Sequence, residues 1–533
     1  MSSYSARSRV LQNQDLLHLI FSSFHPLESI SRRAQKFTKR SSPLQPFPAS
    51  DILSLALVSS SFFVPALRIL WYEATLTSLL SVIPVLVKGD GEYILTDVLR
   101  EEHLRRVDIY ARHIRQLHVS DDILPPGIFG LISRHRPSLL PAVEMVNLRL
   151  GNTPARHLES LSVVTPPTLL VLNFSIVDSA SEAIIASHLG SLANLGWLEL
   201  GGRLTNISLS MLPSLLVGSL MLDLHSDPLV DIFGLCAQIL SLRMLVLKLG
   251  SDTVYRRFSI SVPEFRYLEV FSLHATLSST VNVLNSMQAA SMRRLWSLSF
   301  WFSRSTFPAH IVDHQLSQCV ESCLNIGLST TLTSLAFHGR TIVARWHCFA
   351  PLRALAALTH LVIDVCMLSV VDDDIIRHIG NGQNATLKKL TLLLWHTDAM
   401  ERTMTPSVLS TLARNCPRLE SLSIAIGLRT DEGTLSQLRD EMDRNPSPGS
   451  NARALRIRFL SKIYNQPSTG RNKHTVVGAA TLSRYIDYCF PSLKTFTVEG
   501  NEGAEGPATG TEHHDWYKGV EDMVHNLRQR MRH

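Results

Sequence analysis

Apolar residues recur along most of this chain in a hexad whose first, fourth and sixth positions are apolar. The hexad reads IRQLHV, LLVLNF, LGWLEL and LWSLSF in four of its copies. About one window in eleven would match by chance at this composition, so the evidence lies in the spacing of the copies. The second apolar position falls at residues 117, 146, 172, 198, 220, 245, 271, 298, 335, 361, 390, 422, 455 and 496. The first eight copies lie about 26 residues apart, which predicts a short strand at regular intervals.

The segments between copies have the 3.6-residue spacing of amphipathic helices, for example over residues 279–295 and 405–422. A single strand–helix unit buries four or five large apolar side chains, worth about 2 kcal/mol each. Ordering its residues costs about 1.5 kcal/mol apiece, so one unit cannot fold alone. The units must therefore stack and share their apolar faces, which predicts an α/β repeat architecture.

A short strand and a helix repeated every 20–29 residues or so resemble the leucine-rich repeat. The resemblance covers about residues 110–500, although the copies are longer and less regular after residue 300. It implies a solenoid with a curved parallel sheet on the concave side and helices on the convex side.

Three short stretches ahead of the repeats have helical spacing. In QNQDLLHLIFSSF the apolar residues share one face, and Asn13 is a suitable N-cap. A second helix is predicted over residues 50–64. Pro65 is expected to end that helix and to open a third one, PALRILWYEATL.

These stretches resemble an F-box, a small helical docking module. The matching residues are Leu16-Leu17-x-x-Ile20, Leu53-x-Leu55-Ala56-Leu57-Val58-Ser59 and Ala66-Leu67-x-x-Leu70-Trp71. An F-box followed by leucine-rich repeats is similar to the substrate receptors of SCF-type cullin-RING ubiquitin ligases. The large sets of such proteins in mushroom-forming fungi look most like this chain.

The resemblance implies that the first helices dock a Skp-type adaptor, and through it a cullin scaffold, while the repeats bind an unknown target protein. The adaptor-binding residues that it implies are Leu16, Leu17, Ile20, Leu53, Leu55, Val58, Phe62, Leu67 and Trp71. The expected function is that of a non-enzymatic substrate-recognition adaptor. Two alternatives stay open: an interaction scaffold with no ubiquitin-ligase role, and a hydrolase hidden in the irregular repeats.

The resulting domain organisation has five parts. We predict an F-box-like helical module over residues 1–80 with a basic loop inserted at 29–49, a helical connector over 81–111, and about 14 repeats over 112–500. A Gly-rich flexible linker at 501–512 and a C-terminal helix at 513–533 complete the chain. We expect the last helix to cap the repeat stack, with partner binding as the alternative.

The target-binding face follows from strand alternation. The hexad's apolar residues point into the stack, so the residues between and just after them face the concave surface. The candidate target-binding residues are Arg149, Glu199, Asp223, Lys248, His274, Trp301, His338, Asp364, Trp395, Arg456 and Arg458. Trp301 and Trp395 are either interface anchors or rings covered by neighbouring elements.

No catalytic, cofactor-binding or metal-binding motif emerges from the sequence. It has no Gly-rich phosphate loop after a strand and no Gly-x-Ser-x-Gly elbow. His314, Cys319 and Cys323 lie at near-helical spacing, but this pattern is more typical of core packing than of a metal site. We therefore expect no metal and no cofactor.

The composition agrees with a folded interaction protein. The chain of 533 residues is 45% hydrophobic and 18% charged, with a net charge of +6, so nucleic acid is not an expected partner. Seven cysteines form no disulfide framework, and no signal-peptide core or membrane span stands out. These features indicate a cytoplasmic or nuclear protein with no membrane partner.

Overall fold

The computed structural model describes two compact units, residues 1–230 and 231–533, and each is considered by itself. The described residues are 13, 15–17, 19–20, 49–89, 93–119, 127–148, 161–176, 188–192, 194–202, 204, 209–225, 232–250, 265–287, 292–303, 309–367, 386–392, 406–426, 432–445, 450–459 and 473–499. Most of the loop predicted at 29–49, the linker at 501–512 and the C-terminal helix at 513–533 lie outside them.

The first unit begins with the predicted helical module. Residues 15–17 and 19–20 are helical, and Asn13 Oδ1 accepts the backbone N–H of Leu16 at 3.0 Å, which confirms the predicted cap. Helices α1 (Ala49–Val58) and α2 (Ser60–Leu70) follow. Their core consists of Leu17, Ile52, Ala56, Ala66 and Ile69.

The boundary between α1 and α2 differs from the prediction at Pro65. Ser59 has an extended backbone, and its side chain accepts the N–H of Ser61, so the chain breaks at this cap. Pro65 lies inside α2 and is buried. A polar cap thus sets the helix boundary, and the proline is accommodated within the helix.

The connector predicted to be helical over 81–111 is helical only over its last third, residues 101–111. After β1 (Glu73–Thr75) and α3 (Leu76–Leu80), the antiparallel strands β2 (Leu86–Lys88) and β3 (Tyr93–Leu95) form a hairpin. Helix α4 (Glu101–Ala111) then completes the segment. The Gly-Asp-Gly sequence between the two strands is typical of a turn, and it explains why a hairpin replaces a helix.

The sheet of the first unit begins earlier than expected, because β1 lies within the segment assigned to the helical module and pairs in parallel with β4. The strand order is β1-β4-β5-β6-β7-β8. The remaining elements are β4 (Gln116–Val119), α5 (Ile128–His135), β5 (Met145–Leu148), α6 (Leu161–Val164), β6 (Val171–Ile176), β7 (Trp197–Gly202), η1 (Leu212–Ser214) and β8 (Ser219–Leu224).

The second unit continues the alternation, with neighbouring strands in the order β9 to β17, all parallel. Its first elements are α7 (Ile232–Ala237), β9 (Met244–Leu249), β10 (Val270–Ala275), α8 (Leu277–Ser286), β11 (Ser297–Phe302), α9 (Ala309–Asn325), η2 (Leu328–Thr330), β12 (Ser334–Ala344), η3 (Trp346–Ala354) and β13 (His360–Met367). The others are β14 (Lys389–Leu392), α10 (Val408–Asn415), β15 (Ser421–Ile426), α11 (Glu432–Arg444), β16 (Ala454–Phe459), α12 (Lys473–Cys489) and β17 (Thr495–Glu499).

The register confirms the predicted repeat architecture. Leu245 pairs with Phe271, Phe271 with Leu298 and Leu298 with Leu335, so the second apolar positions of successive hexads stand side by side. These side chains are buried, as the hexad requires. Every one of the fourteen hexads forms a strand, from β4 to β17. Helices α8 and α10 are shorter than predicted, because the backbone leaves the helical conformation at Met287 and Cys416.

Within each unit, neighbouring strands of the parallel sheet are linked by a recurring main-chain contact just before the pairing begins. The carbonyl of Arg243 accepts the N–H groups of Glu269 and Val270 at 2.7 and 3.0 Å. The carbonyl of Glu269 in turn accepts those of Trp296 and Ser297. This contact fixes the register of neighbouring strands, and with it the rows of side chains that cross the sheet.

Candidate functional site

Five of the predicted target-binding residues form one row across the strands of the second unit. We call Lys248, His274, Trp301, His338 and Asp364 the Trp301 row. Each residue directly follows the last apolar residue of its hexad, and each is the register partner of the next. The fixed register therefore places these five polar and aromatic side chains, one from each of five consecutive strands, on one face of the sheet.

Three aromatic rings are stacked at the centre of the row. His274 and Trp301 have ring centroids 5.3 Å apart and an angle of 6° between their planes. Trp301 and His338 are closer, at 3.9 Å and 18°. Since the two histidines come from the strands on either side of β11, they cover opposite faces of the indole. Trp301 is thus held in place by its neighbours and remains only partly exposed.

The two ends of the row carry opposite charge types. His338 Nδ1 lies 3.5 Å from Asp364 Oδ2, and the side chains are 18% and 11% exposed. Asp364 is therefore sheltered, whereas Lys248 at the other end is half-buried. A carboxylate beside an imidazole orients the ring.

Small side chains lie beside the Trp301 row on the same face. The positions two residues earlier in the five strands are Val246, Ser272, Ser299, Ala336 and Val362. Ser299 Oγ donates to Ser272 Oγ at 2.8 Å. The register thus places a row of smaller side chains directly beside the Trp301 row.

The other predicted target-binding residues do not join this row. In the first unit Glu199 pairs with Met221 and Asp223 pairs with Gly201, so the two acidic residues occupy different rows. Asp223 lies 3.5 Å from His225. Arg456 is exposed on β16. Arg149 and Trp395 lie outside the described residues, as does the side chain of Arg458.

Helix α1 presents an apolar face to solvent. Leu57 and Val58 are 77% and 72% exposed, and Leu53 is also exposed. On the same helix Ile52 and Ala56 are buried in the module core. We call Leu53, Leu57 and Val58 the exposed face of α1. These three exposed aliphatic side chains lie close together on a helix whose other side is packed.

The structure divides the predicted adaptor-binding residues into three groups. Leu16 and Ile20 are exposed, as are Leu53 and Val58. Leu17 and Leu67 are buried, and Leu17 belongs to the module core. Their part in adaptor binding stays a prediction, because an apolar side chain at helical spacing looks the same in the sequence on either face of the helix.

The third group is partly buried. Leu55 and Phe62 pack against the module core. Trp71 stacks on Tyr110 of α4 with centroids 4.5 Å apart, which ties the end of α2 to the connector. Conversely, the exposed Leu19, Leu57 and Phe63 were not among the predicted contacts. The sequence did contain a signal for Leu57: it lies four residues after Leu53, so the two side chains share one face of the helix.

The thiols considered for metal binding are core residues. Cys319 and Cys323 are buried in α9, and burial raises the pKa of the Cys323 thiol to about 12. His314 is exposed on the same helix. In the part of the chain that the structure describes, another trio of possible ligands converges, namely Asp313, His347 and Cys348.

The described residues also contain no helix that is long and apolar enough to cross a membrane.

No family model and no curated protein matches the chain. Among solved structures, it is similar to an internalin from Listeria monocytogenes, with 14% identity, a TM-score of 0.32, and coverage of 75% of this chain and 89% of that one. It is also similar to the leucine-rich repeat-containing protein LegL7 from Legionella pneumophila, with 13% identity, a TM-score of 0.28, and coverage of 76% and 98%. The parallel register of the hexads shows the fold class on its own: a stack of parallel strands joined by helical crossovers, the α/β repeat architecture that the sequence predicts.

Proposed function

We propose that this protein is a non-enzymatic adaptor that docks a Skp-type adaptor through its N-terminal helices and holds a target protein on its repeats for ubiquitination. The observation that carries the proposal is the exposed face of α1. Leu53 and Leu57 are exposed one helical turn apart, while Ile52 and Ala56 hold the same helix in the module core. Exposed aliphatic side chains on a helix anchored in this way are suited to helix-to-helix docking.

The resemblance of the module to an F-box supports a Skp-type adaptor as the occupant of this face. The cullin scaffold would then be reached through the adaptor. Docking of this kind needs no chemistry from the chain itself, because a tethered target gains a high effective concentration at the ligase.

The Trp301 row supports the second half of the proposal. It joins a rigid aromatic stack to charged ends, and aromatic side chains in such settings commonly anchor protein interfaces. The adjoining row of small side chains gives an extended segment of a target room to lie against the stack. The target is accordingly a protein that presents a short segment crossing the strands.

A co-purification with a Skp-type adaptor tests the proposal. Leu57→Asp places a charge in the apolar interface, so we expect at least a tenfold or so loss of adaptor recovery. Leu216→Asp is the matched control, because Leu216 is also exposed but lies among the repeats, and this variant should bind as the wild type does. The proposal fails if the intact protein recovers no adaptor or if Leu57→Asp binds normally.

An interaction scaffold without a ligase role is the second candidate, and it is favoured by the Trp301 row, which does not depend on the helical module. The same variants separate the two functions. A scaffold retains its bound proteins in Leu57→Asp and loses them when Trp301 is replaced by Ala. A ligase adaptor loses ligase recruitment in the first variant and the target in the second.

A further inference from the structure

Three side chains with different metal-binding atoms converge between helix α9 and element η3, which follows strand β12. Asp313 belongs to α9, and His347 and Cys348 belong to η3. One ligand atom from each lies within 4.8 Å of the other two. Helix α9 packs directly on η3, so packing between the two elements sets this geometry.

The donor set matches the preference of zinc. Zinc binds carboxylate oxygen, imidazole nitrogen and thiolate sulfur at about 2.0–2.3 Å, which places tetrahedral ligand atoms roughly 3.5 Å apart. The Cys348 thiol donates to Asp313 Oδ1 at 3.3 Å. Two of the ligand atoms are thus already at the separation that a bound ion requires.

The surroundings orient the carboxylate. The backbone N–H of Arg345 donates to Asp313 Oδ1 at 2.6 Å, the kind of supporting contact that fixes ligating carboxylates in metal sites. The Arg345 guanidinium Nε lies 3.7 Å from Oδ2, and the Arg345 side chain is more than half exposed. Asp313 and Cys348 are buried and His347 is exposed, so the group opens toward solvent on one side.

We propose that Asp313, His347 and Cys348 bind one zinc ion, with water completing the tetrahedron on the exposed side. Binding forms a zinc–sulfur bond in place of the sulfur–hydrogen bond of Cys348 and releases that proton to solvent. The ion's two positive charges are balanced by the carboxylate and the thiolate, and His347 contributes a neutral nitrogen.

The position of the site connects it to the Trp301 row. Element η3 links β12, which carries His338, to β13, which carries Asp364. An ion that joins α9 to η3 cross-links this repeat at the crossover between the two strands. The site is independent of the proposed adaptor function, since none of its residues belongs to the helical module.

Zinc content measures the proposal directly. The full-length protein, purified without a polyhistidine tag, is incubated with zinc chloride and desalted, and retained zinc is determined by mass spectrometry. We expect about one zinc per chain in the wild type and at least a tenfold or so weaker retention in His347→Ala. His347 is exposed, so this variant keeps the fold. His314→Ala, which removes an exposed histidine of α9, should retain zinc fully.

Cobalt replaces zinc in a second measurement. A thiolate ligand produces a charge-transfer absorption with cobalt that a serine ligand does not. The absorption should be lost in Cys348→Ser and retained in Cys416→Ser, which removes another buried thiol. The proposal is overturned if the wild type retains no zinc, if His347→Ala retains as much as the wild type, or if Cys348→Ser keeps the absorption.

Discussion

The indole of Trp301 lies against the imidazole of His338, with ring centroids 3.9 Å apart on adjacent parallel strands. His338 in turn contacts Asp364 at 3.5 Å on the next strand. The contacts form a chain across three strands of the second unit, so each side chain depends on its neighbour for its position. Side chains held in this way lose little conformational entropy on binding, which would favour the target binding proposed for this row.

Trp301 and His338 should show a measurable coupling energy. Stacked aromatic pairs contribute about 0.5–1.5 kcal/mol beyond the area that they bury. We expect a double-mutant cycle of Trp301→Ala and His338→Ala, measured by urea denaturation, to give a coupling in that range. The pair Trp301 and His274, whose centroids are 5.3 Å apart, should give a smaller value. Additive single and double variants would show that the stacking contributes nothing.

Gly339 should not tolerate a methyl group. A Cβ at this position would lie 2.8 Å from Ile342 Cγ1 and 3.2 Å from two carbon atoms of Phe302. We expect Gly339→Ala to lower the free energy of unfolding by about 1–3 kcal/mol, since overpacking a core displaces its neighbours. Gly130→Ala on α5 is the control, because nothing lies within 4 Å of the added carbon. That variant should gain up to about 1 kcal/mol, and a loss of equal size in both would contradict the prediction.

The two faces of α1 should respond differently to truncation. Ile52 is buried in the module core, so Ile52→Ala should cost about 2–5 kcal/mol, read as early loss of helical signal during denaturation. Leu57→Ala should change stability by less than about 0.5 kcal/mol, because Leu57 is largely exposed. Equal destabilisation by both variants would mean that the exposed face of α1 is in fact packed.

His113 should make the first unit less stable in mild acid. Burial lowers its pKa first, and the charges of Arg112, Arg68 and Arg115 lower it further, from 6.5 to about 4. The Arg112 Nε–H donates to His113 Nε2 at 3.3 Å, which requires a neutral ring. The unfolded chain therefore takes up this proton near pH 6.5 and the folded chain only near pH 4. The stability that the neutral His113 contributes is therefore fully present above pH 6.5, the ordinary pKa of histidine. It is lost as the pH falls toward the lowered pKa of about 4.

Urea denaturation at about pH 7 and about pH 5 measures this dependence. We expect His113→Gln to lose less unfolding free energy than the wild type between the two conditions. A wild type and a variant that lose the same amount would show that His113 does not contribute.

The repeat register was predictable because it depends on the spacing of apolar residues that are close together in the sequence. An apolar residue at a fixed interval must be buried wherever the chain folds, so the positions from 117 to 496 identified fourteen strands and placed Leu245 beside Phe271. The same alternation put Lys248, His274, Trp301, His338 and Asp364 on one face of their strands. Local caps were also readable, as at Asn13, whereas Pro65 was misread because its effect depends on the polar cap at Ser59.

The sequence by itself thus determined the strand periodicity, the side of the strand on which each residue lies, and the positions of the first helices. Only the tertiary structure decided which apolar residues of those helices are covered, so that Leu17 is buried and Leu57 is not. It also decided that the rings of His274 and His338 cover both faces of the Trp301 indole. In the same way it brought the side chain of Asp313 close to those of His347 and Cys348. The physical reason is that burial and contact depend on side chains brought together from distant parts of the chain, whereas periodicity depends only on neighbours along it.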